Sequence, residues 1–231
     1  KQYPRKLRDP RRAPGSLMRL FLSSQDLGRY PHIARELAGP NNKAAYVKNA
    51  QDHLPPEVRN FSTPVKKAMF EAAGFEFEEI DLRDYFSNQE DLRSKLSGFG
   101  SFWAAGGNAF ILRRAFEQSG LSKLLPEMLK NDEILYGGWS AGAMVMAPDL
   151  KGADWDAGDR PKIVPAGYDA GVIWEGLAQV PFYIVPQIGN KKFGDRPQGM
   201  ASYYESKNLS HYDLSDGQVL IVNGDHVELL S

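Results

Sequence analysis

Short apolar runs alternate with segments of helical length along almost the whole chain, and this alternation constrains the fold more than any other feature. The runs 17–24 (LMRLFLSS), 43–50 (KAAYVKNA), 75–82 (FEFEEIDL), 101–105 (SFWAA), 133–138 (EILYGG) and 181–187 (PFYIVPQ) predict strands. Between them, 29–39, 55–74, 88–98, 108–120, 121–130 and 196–208 predict helices. Pro64 should break the second of these, Gly74 should close it, and Asn108 is suited to cap the fourth. Residues 218–230 predict a terminal hairpin turning at Asn223-Gly224-Asp225. Strands that alternate with helices form a mostly parallel central sheet flanked by helices, an α/β fold. Such sheets bind ligands beyond the carboxyl ends of their strands. The irregular span 147–180 is where a loop could line or cover a site.

Composition narrows the function classes. A length of 231 residues suits one domain, and 42% apolar and 11% aromatic content suits a packed core. A formal net charge of -1 gives no reason to expect nucleic-acid or membrane partners. The absence of cysteine excludes a disulfide scaffold, a thiolate metal site and a cysteine nucleophile. No apolar run approaches the ~18 residues of a membrane span and no signal-peptide core leads the chain, so a cytoplasmic location is expected. Residues 1–17 carry six Lys or Arg against one Asp, and Met18 follows. They read as a basic N-terminal extension before one α/β domain over 18–231; a basic arm that touches nucleic acid or a partner is the other reading. No H-E-x-x-H, carboxylate–histidine cluster or phosphate-binding loop is present, so no metal and no cofactor are expected.

The chemistry concentrates where two predicted strands end in glycines. GWSAG, residues 138–142, has the G-x-S-x-G form of a nucleophile elbow. There a serine sits on a sharp strand-to-helix turn, so its neighbours must be small and its hydroxyl points outward. The free N–H groups of the following helix start then face a developing oxyanion. Ser140 is the candidate nucleophile and the Ala141 N–H one oxyanion donor. AGGN, residues 105–108, ends the neighbouring predicted strand and offers the Gly107 N–H as a second donor. A plain strand–helix turn, with Ser140 and Asn108 as helix caps, is the structural alternative.

The segments LFLSSQ, FWAAGGNAFILRRA, YGGWSAGA, IWEGLAQVPFYIVPQ and LSDGQVLIVNGD, in this order, resemble the peptidase E family of serine peptidases, the dipeptidase E and cyanophycinase group. The resemblance runs from about Met18 to the end. It implies a fold like that of class I glutamine amidotransferases and peptidase activity on short peptides, including bonds at acidic residues. It also implies that Ser140 is the nucleophile and that Gly107 supplies an oxyanion N–H. The family's strand after its GLG segment ends Pro-His, and that histidine is the general base; this chain has Gln187 there. A glutamine amide cannot accept a proton at neutral pH, so Gln187 can hold a hydroxyl without activating it. The family's acidic partner would fall within 149–156, where Asp149, Asp154 and Asp156 are all available. Of His32, His53, His211 and His226, His53 follows a strand end and is the least remote substitute base.

Lys191, Lys192 and Arg196 follow Gln187 and could take a substrate carboxylate; Arg196 and Asn108 are candidate substrate-binding residues. The expected partner is a short peptide or acidic small molecule, with a homodimer also allowed. Two functional readings follow: a serine hydrolase working through Ser140, or a homologue that keeps the elbow and pocket but binds rather than cleaves.

Overall fold

The computed structural model describes residues 18–231 apart from Gly158; the basic extension 1–17 lies outside the described residues. In chain order the elements are β1 (Arg19–Ser23), α1 (Pro31–Leu37), β2 (Lys43–Val47), α2 (Pro56–Phe61), α3 (Thr63–Ala72), β3 (Glu76–Glu79), α4 (Gln89–Leu96), β4 (Ser101–Ala104), α5 (Ala109–Gln118), α6 (Leu121–Lys130), β5 (Leu135–Trp139), α7 (Ala141–Met144), β6 (Tyr183–Val185), α8 (Arg196–Ser206), β7 (His211–Asp213), β8 (Val219–Asn223) and β9 (His226–Leu230).

Seven strands form the central sheet in the order β3-β2-β4-β5-β1-β8-β9. The first five of that order pair in parallel, and the β8–β9 hairpin closes one edge antiparallel to β1. Because side chains alternate across a strand, each strand feeds two cores. Leu20, Leu22, Val47, Phe102 and Tyr136 pack on one face with α5 and α6 residues such as Phe110, Phe116 and Leu125. Phe21, Tyr46, Trp103 and Trp139 pack on the other with Ala34 of α1 and Phe70 of α3. Gly137 lies in register with Trp103, and a Cβ there would overlap the Trp103 indole.

Two local features differ from the sequence expectations and one bears an expectation out. The run 43–50 stops as a strand at Val47, and Asn49–Gln51 forms a 3₁₀ turn. The segment 55–74 breaks at Pro64 as expected: it is two helices, with Pro64 in the first turn of α3, which starts after Ser62. The strand within 181–187 leaves the central sheet and pairs in parallel with β7, an element too short to read from periodicity.

Candidate active site

β4 and β5 are parallel neighbours, so the glycines after β4 and the serine after β5 meet at one sheet edge. Ser140 has φ 52° and ψ −117°, a conformation that L side chains rarely adopt. The surroundings enforce it. Its N–H donates to the Ser23 carbonyl at 3.2 Å, and its carbonyl accepts from Ala143 and Met144 at 2.9 and 3.0 Å. The turn closes so tightly that a Cβ on Gly138 would come 2.6 Å from the Gly142 backbone, and one on Gly142 would strike the Ala104 carbonyl. Buried Tyr136 secures the helix start by donating its hydroxyl to the Gly142 carbonyl at 2.6 Å.

Gly106 abuts Ser140: a Cβ built on it would lie 2.9 Å from Ser140 Cβ and 3.4 Å from Oγ. Gly107 has φ 151°, and a Cβ there would stand 2.5 Å from the Ala50 carbonyl oxygen, so only glycine fits. Among the described residues, neither the Gly107 N–H nor the Ala141 N–H donates to a protein acceptor, and the Ser140 hydroxyl has no protein partner.

Two cavity arms meet at Ser140, Gly107, Gln187 and Phe193. The wider, about 400 Å³, is lined mainly by polar residues and reaches Gln25, Asp26, Gln51, Ser62, Lys66, Asn190 and Lys192. Within it Lys66 pairs with Asp26 and lies 5.7 Å from the Trp139 ring centroid. The narrower, about 100 Å³, is mostly apolar, walled by Met144, Trp155, Pro186 and Met200, with Asp159 and Arg196 as its charged members.

Gln187 follows β6 with φ 65°. Its N–H donates to Ser24 Oγ at 2.8 Å, and Ser24 in turn donates to Asp216. None of the four histidines lines either arm. His32, His53 and His226 are exposed, and His211 lies beside Asp213 in β7. Partial burial of its ring lowers the His53 pKa, with the Ala50 backbone and Asp52 opposing it.

The acidic residues that line the cavity, Asp26 in the wider arm and Asp159 in the narrower, are not among the three expected. Asp149 accepts from the Lys151 N–H and pairs with its side chain, and Asp154 and Asp156 are exposed. Asp159 lines the apolar arm instead. Its Oδ2 accepts the Ala109 N–H at 2.6 Å at the start of α5. Burial pushes its carboxyl up to about 7, against the opposing Ala109 hydrogen bond and the Arg196 charge. No strand or helix pattern marks it, because the irregular 147–180 segment returns to the sheet edge only through tertiary packing. Gln51 was also missed, although its place just past the end of β2 and beside β4 could have found it.

The structure commits Asn108 to helix capping. Its Oδ1 accepts from Phe110 and Ile111, its Nδ2 donates to the Arg160 carbonyl, and it lines neither arm. Arg196 and Lys192 line the two arms separately and Lys191 lines neither. Among the described residues no group of three or more His, Asp or Glu could hold a metal ion, and no helix is long and apolar enough to cross a membrane.

A sequence model of peptidase family S51 matches residues 23–230, which include every element that builds the cavity. The chain belongs to peptidase family S51. The S51 fold is matched by solved structures of low identity. One is a candidate peptidase E from Listeria monocytogenes EGD-e, 21% identical, with a TM-score of 0.71 and coverage of 93% of this chain and 99% of that one. Another is a peptidase from an acI-B1 actinobacterium, 15% identical, with a TM-score of 0.66 and coverage of 94% and 89%. No curated protein sequence matches this S51 chain.

Proposed function

We propose that this S51 chain is a serine hydrolase of short peptides, including peptides with acidic residues, in which Ser140 is the nucleophile. The observation that carries the reading is the Ser140 backbone. A serine held at φ 52° and ψ −117°, with its hydroxyl at the junction of two cavity arms, costs on the order of 1–3 kcal/mol that a mere helix cap does not require. In the reaction Ser140 Oγ attacks the scissile carbonyl carbon, and the Gly107 and Ala141 N–H groups receive the oxyanion. The serine proton passes to Asp159, whose carboxyl, at about 7, is poised to accept it near neutral pH. The leaving amine takes the proton back, and water then hydrolyses the acyl-serine. Lys66 and Lys192 supply positive charge to an acidic substrate in the polar arm.

Gln187 at the family's histidine position, with no histidine lining the cavity, favours a second reading: a binding protein with a residual elbow. Loss of the base from a serine triad costs on the order of 10⁶ in kcat. A fluorophosphonate probe separates the readings. Labelling of Ser140 that disappears in Ser140→Ala and slows in Asp159→Asn supports the hydrolase. A wild-type protein that resists the probe while still binding short acidic peptides supports the binder.

A further inference from the structure

We infer that Gln51 is a positioning residue for the oxyanion hole, fixing the direction of the Gly107 N–H through the carbonyl of Gly106. The inference rests on the reading of Gly107 as an oxyanion donor. The Gly106 carbonyl and the Gly107 N–H belong to one planar peptide group, in which they point in opposite directions. Gln51 Nε2 donates to that carbonyl at 2.8 Å. With the carbonyl tied to Gln51, the N–H on the far side of the same plane cannot swing independently. It has no protein acceptor of its own among the described residues.

A Gly-Gly pair needs such a restraint. Two residues without Cβ atoms leave the intervening peptide freer than any other pair would, yet an oxyanion donor acts only when it is aimed in advance. Gly106 lies against Ser140, so a rotation of this peptide would be felt at the nucleophile. The next peptide is pinned from the same turn, since the Asn108 N–H donates to the Ala50 carbonyl at 2.9 Å. The Asn49–Gln51 turn thus holds the peptide groups on both sides of Gly107.

The turn is itself immobilised. Asn49 is fully buried; its Nδ2 donates to Asp52 Oδ2 at 2.8 Å and Asp81 Oδ1 at 2.9 Å, and its Oδ1 accepts the Leu82 N–H at 3.2 Å. Gln51 therefore projects from a fixed base. Its bond to the carbonyl also polarises the peptide and strengthens the N–H as a donor.

The test uses two variants of the full chain and two readouts. Gln51→Leu removes the donor. Gln51→Glu keeps the shape but places an acceptor against the carbonyl at neutral pH, and donates again once protonated. The first readout is the Gly107 amide in 15N–1H spectra, both its shift and the residual dipolar coupling that reports N–H direction. The second is the second-order rate of phosphonylation of Ser140 by a fluorophosphonate. Both variants are expected to move the Gly107 amide and leave those of the central strands unchanged. Phosphonylation should slow about 10²-fold, the lower end of what loss of an oxyanion donor costs. In Gln51→Glu, acidification should return the Gly107 amide towards its wild-type position, which a merely structural defect would not do. A Gly107 amide unmoved in both variants overturns the inference. A wild-type protein that resists phosphonylation overturns the hydrolase reading alone, and the Gly107 amide still decides the role of Gln51.

Discussion

Ser140 and Gln187 face one cavity from the ends of different strands, and consecutive residues of the β1 terminus hold both: the Ser23 carbonyl takes the Ser140 N–H, and Ser24 Oγ takes the Gln187 N–H. Both have positive φ, 52° and 65°. Neither conformation is favourable for its residue, and each persists because neighbouring bonds determine it. The end of β1 therefore fixes the relative placement of Ser140 and Gln187.

Relief of strain at the elbow should trade activity for stability. Ser140→Gly removes the Cβ that makes φ 52° costly, and should stabilise the protein by about 1–3 kcal/mol. Ser140→Ala keeps a Cβ and should gain little. Both should lose all fluorophosphonate labelling. Urea unfolding of the three proteins measures the difference, and equal midpoints for the glycine and alanine variants would show that the elbow stores no strain.

Gln187→His should add an imidazole base at the position where the family resemblance expects one, in addition to the proposed base Asp159. Histidine is among the residues that tolerate a left-handed backbone, so the change adds no strain at φ 65°. General-base assistance contributes about 10²–10⁴-fold, and hydrolysis of aspartyl dipeptides should rise by that order. A variant that folds, binds the dipeptide and gains nothing would place the deficit in substrate alignment rather than in proton transfer.

The strands, the parallel sheet and the meeting of GWSAG with AGGN were legible because each is written locally, and parallel order then brings adjacent strand ends together. Asp159 was not legible. It sits three residues beyond the window expected for the acid, in a segment without periodicity, and reaches the cavity only because its carboxylate caps α5. Gln51 ends a turn whose first two residues, Asn49 and Ala50, read as strand, since KAAYVKNA gives no signal that pairing stops at Val47. The departure of β6 from the central sheet depends on a three-residue partner, β7, which holds too few residues for a pattern.

The ionic cluster beneath the Asn49–Gln51 turn should be strongly destabilised by loss of one member. Arg59 Nε lies 2.6 Å from Asp52 Oδ1, whose side chain is fully buried, and Arg59 also reaches Asp81 at 3.2 Å. Arg59→Met leaves a buried carboxylate without its main cation, which typically costs about 3–5 kcal/mol. Burial raises the Asp81 carboxyl, but hydrogen bonds from Arg83 and Asn49 outweigh that and hold it well below the usual carboxylate range. Its contribution to stability is present above the unfolded value and is lost as pH falls through the folded one. Urea midpoints in acid should therefore fall for the wild type, and Arg83→Met should flatten that fall. An unchanged slope would assign the acid sensitivity to other carboxylates.

Asp159 should give the opposite pH dependence in a different window. Unfolded, its carboxyl titrates near 3.8; folded, burial brings it to about 7. Between these values the folded state holds a proton that the unfolded state lacks, so the Asp159 contribution to stability is complete below pH ~4 and is lost as pH rises to about 7. On the proposed mechanism reactivity runs the other way, because only the carboxylate would accept the Ser140 proton; the labelling rate should climb with pH and level off above about 7. Asp159→Asn still accepts the Ala109 N–H through its amide oxygen, so the start of α5 stays capped. The variant should lose both pH dependences together and unfold at higher urea than the wild type at pH 8. A labelling profile that keeps its rise in Asp159→Asn would remove Asp159 from the proton transfer and leave it as a helix cap.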